Sequence, residues 1–186
     1  MHACIAVSLL AILATTPQGD DFSGSWRLDK ARSDDLQARI EEVAGAAQVK
    51  SGGATGLTIL PEGNTRSEAE RVELREWMLG IARQQEALEV EQSPSEIKLF
   101  EGEGARTFYF DREHVRQDNQ GRKLKCRTRW QGPQLVLEEV GERHRMKLTE
   151  VFTLVPSVSQ LIHVVRFENA LLTKPLEVRL VYARTP

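Results

Sequence analysis

From Leu88 to Tyr182, apolar and polar residues alternate along most of the chain, the pattern of strands that bury one face. The alternation divides into candidate strands at 88–92, 96–101, 106–110, 114–117, 122–130, 134–140, 143–154, 160–168 and 176–182. Turn signals separate most of them: Ser93–Pro94–Ser95, Gly102–Glu103–Gly104, Asp118 to Gly121, Gly132–Pro133 and Gly141–Glu142. Links this short force antiparallel neighbours, and a long meander removes its exposed edges by closing on itself. Before Leu88 the period changes. A short strand at Ser25 to Leu28 precedes Leu36, Ile40, Val43, Ala44 and Ala47, which recur at helical spacing with Ser33 or Asp34 as N-cap. A second helix is predicted from about Ser67, with Leu74, Trp77, Met78, Ile81 and Leu88 as its apolar stripe. Glu68 and Glu76 lie on its opposite face and Glu73 on its flank. The expected fold class is mainly β: an antiparallel meander forming a barrel or strongly curved sheet, with a two-helix insertion at about 31–86 after the first strand.

The last five strands can be registered by counting. A two-residue turn at Gly132–Pro133 sets Trp130 opposite Leu135, Thr128 opposite Leu137 and Cys126 opposite Glu139. A two-residue turn at Gly141–Glu142 would set Glu139 opposite His144, Leu137 opposite Met146 and Leu135 opposite Leu148. Passing through Pro156–Ser157, Leu154 meets Leu161, Phe152 meets His163, Glu150 meets Val165 and Leu148 meets Phe167. Leu176, Val178, Leu180 and Tyr182 join the same face. One largely apolar face runs across five strands, and a one-residue slip would destroy it.

The 186-residue length suits one domain with a full core. A net charge of -2 argues against a dedicated nucleic-acid binder. The uncharged run Ala3 to Ala14 is too short to span a bilayer and suits the apolar region of a secretory signal. Residues 1–19 are therefore read as a signal peptide and 20–186 as one domain, periplasmic or secreted; a buried N-terminal helix is the alternative. With Cys4 inside the signal, the mature chain keeps only Cys126 and forms no internal disulfide.

Phe22–Ser23–Gly24–Ser25–Trp26 carries a G-x-W at the first strand. Together with the runs Phe108–Tyr109–Phe110–Asp111, Arg129–Trp130–Gln131–Gly132 and Leu135–Val136–Leu137–Glu138, it resembles uncharacterised exported bacterial proteins of lipocalin-like (calycin-type) build. The resemblance implies a lipocalin-like barrel, with the Trp packed across its closed end against an arginine near the last strand. Arg179 and Arg184 are the candidates for that partner. A helical insertion after the first strand and the missing disulfide depart from the lipocalin pattern, and the resemblance transfers no ligand.

No catalytic motif is present: HExxH, paired CxxC, GxSxG and the phosphate loop are all missing. No enzyme, metal or cofactor is expected. The register places Cys126, Glu139 and His144 in one row, most simply a cross-strand pair at a wet barrel mouth. Glu150 and His163 sit mid-face near Phe152 and Tyr182, where a carboxylate needs a partner. These four are the candidate ligand-binding residues, a polar anchor in an apolar chamber; a self-satisfied pair, or Glu150 turned outward at a bulge, is the structural alternative. On the opposite face, Lys123, Lys125, Arg127, Arg129, Arg143, Arg145 and Lys147 cluster with Glu138 as the main counter-charge. That face is a solvated exterior, a dock for the acidic second helix helped by Val136 and Val140, or a site for an anionic envelope glycolipid. For the last, Lys125, Arg127, Arg129, Arg143 and Arg145 are the candidate anion-binding residues. Two functional classes follow: a barrel binding a small apolar ligand, or an envelope interaction or structural module with a filled core. Interior volume separates them.

Overall fold

A computed structural model describes residues 20–49, 76, 78, 80, 86–101, 104–118, 121–142, 145–170, 172 and 174–185. The predicted signal peptide lies outside them. So does most of the second predicted helix, although Glu76, Met78 and Gly80 are helical and Met78 is buried.

Ten strands form one sheet: β1 (Gly24–Leu28), β2 (Ala87–Gln92), β3 (Glu96–Glu101), β4 (Gly104–Tyr109), β5 (His114–Gln117), β6 (Lys123–Gln131), β7 (Gln134–Gly141), β8 (Lys147–Val155), β9 (Gln160–Glu168) and β10 (Leu176–Arg184). Helix α1 (Leu36–Val49) follows β1. The order β4-β3-β2-β1-β10-β9-β8-β7-β6-β5 places the first strand between the second and the last. Trp26 is opposite Arg184 and Leu28 opposite Tyr182, so β1 joins the two halves of the meander into a nearly closed barrel. β4 and β5, though consecutive in the chain, are the two ends of the sheet and do not pair. A seam runs between them.

Alternation puts one side of every strand inside. Leu99, Phe108, Leu135, Leu137, Leu161 and Phe167 have no measurable exposure, and Trp26, Phe152 and Leu180 are as deeply buried. Among the described residues these walls join in one buried apolar cluster, packed against one another. At one end Phe22 stacks on Trp130, centroids 5.7 Å apart, with Phe110 6.0 Å from the same indole. Helix α1 packs on β10 and buries Ile40 and Val43.

The β6–β7 and β8–β9 registers are those counted from the sequence, and β10 turns Leu176, Val178, Leu180 and Tyr182 to the same buried face. The β7–β8 register differs. Gly141–Glu142 is not a two-residue turn: β8 begins at Lys147, and the Gly141 N–H bonds the Met146 carbonyl across a longer connection in which Arg145 has φ 49°. Glu139 therefore faces Leu148, and Leu137 faces Glu150. The displacement is four residues, an even number, so every side chain keeps its face. The N-cap also differs: Asp35 accepts the Ala38 N–H at 3.0 Å. Ser33 and Asp34 instead bind β10, accepting the Val181 and Arg179 N–H groups.

Candidate functional site

The barrel interior holds a charged cluster assembled from five strands. Glu150 of β8 is 3% exposed and receives both arms of Arg106 from β4, Nη1 at 2.5 Å and Nη2 at 3.1 Å. Its Oε2 also lies 2.9 Å from His163 Nε2 of β9. Glu139 of β7, 1% exposed, accepts Arg116 Nε at 2.8 Å and Nη2 at 2.6 Å from β5, with Arg106 Nη1 at 3.5 Å. Paired forks of this kind are the strongest polar contacts a protein makes, and burial makes each carboxylate depend on its arginine.

Electrostatics follow from that geometry. Burial alone would raise the Glu150 carboxyl, but the Arg106 charge and the hydrogen bonds from His163 and Arg106 outweigh it and hold the group well below the usual carboxylate range. Burial also opposes the charge of Arg116, and the Glu139 contact overcomes that, raising its affinity for its proton. Burial, helped by the Glu139 charge, pushes the Cys126 thiol up to about 11. A thiol so poor in thiolate is a packing residue, not a nucleophile.

All four sequence-predicted ligand residues meet here. The His163 ring stacks on Phe152 with centroids 4.1 Å apart and planes 11° from parallel, and Tyr182 lies 6.4 Å from His163. On the interior face, the buried atoms Thr128 Oγ1, His163 Nδ1 and His114 Nδ1 have no hydrogen-bond partner among the described residues. Of the predicted row, Cys126 and Glu139 do stand opposite one another, but Leu148 takes the place across from Glu139 on β8; His144 lies outside the described residues. Glu139 finds arginines instead.

Arg106 and Arg116 were missed in the sequence, although a signal existed. Arg106 alternates with Phe108 on β4, and Arg116 with His114 on β5, so both share the inward parity. Two inward arginines and two inward glutamates should have been matched by charge. The same contacts cross the seam. Arg106 and Arg116 approach Glu139 from either side of it, His114 sits edge-on to Phe108 and Tyr109, and Arg112 covers the Tyr109 ring at 4.1 Å.

Outside, Lys123, Lys125, Arg127 and Arg129 are exposed on β6. Arg129 and Lys147 approach Glu138, which the Lys147 hydrogen bond holds below the usual carboxylate range, and Arg127 is 3.7 Å from Glu113. Lys123 and Lys125 have no ion-pair partner among the described residues. Register places Lys125 between Val115 and Val140, two of the few exposed large apolar side chains described, while Val136 is buried. Arg145 stands in the β7–β8 connection instead of on the strand face, and Arg143 lies outside the described residues. At the closed end, Arg184 and not Arg179 covers Trp26, its guanidinium 5.2 Å from the ring centroid and bonded to the Ser23 carbonyl; Arg179 binds the Arg32 carbonyl. Among the described residues no cluster of three metal-ligating side chains occurs, and no helix is long and apolar enough to cross a membrane.

No family model matches the sequence, and no curated protein matches it by sequence. Solved structures match the fold. The apo form of Caenorhabditis elegans lipid binding protein 8 covers 88% of this chain over 95% of its own, with a TM-score of 0.52 and 10% identity. A Schistosoma mansoni fatty acid binding protein in complex with arachidonic acid covers 89% over 96%, with a TM-score of 0.51 and 14% identity. A secretary abundant heat soluble protein of Ramazzottius varieornatus covers 88% over 95%, at 0.51 and 10%. The fold is thus a mainly β, nearly closed ten-strand antiparallel barrel similar to the folds of these proteins.

Proposed function

We propose that this protein is an exported bacterial barrel, periplasmic or secreted, that binds a small apolar or amphiphilic molecule and catalyses no reaction. The polar end of the ligand sits at Glu150 and His163, and its apolar part lies against Phe152 and Tyr182. The observation that carries this reading is the buried cluster of Arg106, Arg116, Glu139, Glu150 and His163. As pure packing, such a cluster is no better than apolar side chains of the same volume, whereas a polar anchor within an apolar interior is what a ligand site needs. Proteins of the same fold described as binding lipid or fatty acid support it further. Because the walls are packed, the ligand makes its own space, and the seam between β4 and β5 is where the barrel parts: the two strands are consecutive in the chain but, among the described residues, share no ladder.

The test is titration with N-phenyl-1-naphthylamine, an uncharged apolar fluorophore. The expected result is saturable, blue-shifted emission together with a rise in melting temperature. Linear, non-saturating emission with no thermal shift would overturn the reading.

The tight interior favours a second reading, in which the filled barrel works through its outer face. There, Lys123 and Lys125, without an ion-pair partner among the described residues, and the exposed Val115 and Val140 beside Lys125 offer both charge and apolar contact to an anionic envelope glycolipid.

A further inference from the structure

We infer, resting on the barrel-ligand reading above, that the ligand's head is an uncharged hydroxyl donating to His163 Nδ1, and not a carboxylate. The ligand class is then a long-chain alcohol, a sterol or an acylglycerol.

The argument begins with the arginines. Arg106 presents two nitrogens to the two oxygens of Glu150 at 2.5 and 3.1 Å, and Arg116 presents two to Glu139 at 2.8 and 2.6 Å. Each guanidinium thus already holds a carboxylate belonging to the chain itself. A ligand anion that took over the two-pronged face of either one would displace a glutamate that is almost wholly buried, leaving that charge in the interior without its arginine. The two arginines and two glutamates also balance in charge, so the cluster exerts no net pull on an anion.

His163 decides what is accepted instead. Its Nε2 lies 2.9 Å from Glu150 Oε2, and an ionised carboxylate only accepts hydrogen bonds. Nε2 therefore carries the hydrogen, and in the neutral ring Nδ1 presents a bare lone pair. That atom is buried and has no partner among the described residues. The stack on Phe152 fixes the ring plane, and the Glu150 contact fixes its rotation, so the direction of the acceptor is set before any ligand arrives. A hydroxyl can donate to it; a carboxylate or a simple ester cannot. Thr128 Oγ1, a buried hydroxyl on this face without a partner among the described residues, likewise suits a neutral head.

Competition against N-phenyl-1-naphthylamine at pH 8.5, above the range in which imidazoles ordinarily protonate, compares 1-dodecanol with dodecanoate. The expected result is displacement by the alcohol at concentrations at least about tenfold lower than the acid. In His163→Phe, which keeps the stack and loses the acceptor, that preference should fall to within about twofold while the fluorophore still binds. Equal or tighter binding of dodecanoate to the unaltered protein overturns the assignment whether or not the variant folds. If neither competes although the fluorophore binds saturably, the head assignment is overturned and the barrel-ligand reading stands. If the fluorophore itself does not bind, both fall.

Discussion

Glu150 has three polar contacts from two neighbours and almost no exposure, so its energetics depend on keeping its charge matched. Glu150→Gln takes from Arg106 the charge of its two-pronged carboxylate partner and is expected to cost about 3–5 kcal/mol at pH 7, read by urea denaturation. Acid should produce the same loss in the unaltered protein. Since the folded-state carboxyl lies below its unfolded value, its contribution is complete above the ordinary carboxylate range near pH 4.3 and disappears as pH falls further. The gap between the two proteins should therefore narrow steadily as pH drops below about 5. A gap unchanged down to the acid unfolding limit would show that the charge of Glu150 is not what stabilises the cluster. Glu150 and His163 could be placed on the interior face from the sequence. Arg106 shares their inward parity, but its pairing with Glu150 does not follow from the order of the chain, because it reaches across the barrel from a strand forty-four residues away.

The elements depend on a few close approaches. Gly24 has φ +135°, and a Cβ there would stand 3.0 Å from Arg184 Nη2 and 3.2 Å from Nε. Gly24→Ala thus combines backbone strain with displacement of the guanidinium that covers Trp26, and is expected to cost about 1–3 kcal/mol. Thermal melting followed by circular dichroism should show the loss, with altered Trp26 emission; an unchanged midpoint would mean that Arg184 yields without consequence. The β7–β8 connection shows how element-level reading fails in a limited way. A Gly-Glu pair looks like a two-residue turn, but the chain uses four more residues before the ladder resumes at Val140 and Lys147. Face was preserved because alternation depends only on parity. The partner of Glu139 was lost because pairing depends on the actual turn length.

Across the whole molecule, the two functional readings occupy opposite faces of the same strands. Reversing Lys123 and Lys125 to Glu tests the outer one without touching the interior, since both side chains are exposed. If the basic face binds an anionic glycolipid, the double variant should be lost from glycolipid vesicles and heparin beads at low salt while its melting temperature holds; equal retention of both proteins would remove that reading. The seam is a property of this scale alone. Strand order leaves β4 and β5 unpaired, so the barrel is closed there by charged and aromatic side chains and elsewhere by backbone hydrogen bonds.

By itself, the sequence determined the strands, the interior parity of their side chains and most of the register, because alternation and short turns are local properties. It also fixed the conjunction of Phe152, His163 and Glu150, which lie on neighbouring strands joined by one turn. Tertiary structure alone decided that β1 closes the barrel against β10, that Arg184 is the partner of Trp26, and that Arg106 and Arg116 neutralise the interior glutamates. The reason is physical: hairpin pairing follows the chain, whereas contacts across a barrel depend on how far the whole sheet curls. Packing density in the interior belongs to the same class, since it depends on every wall at once.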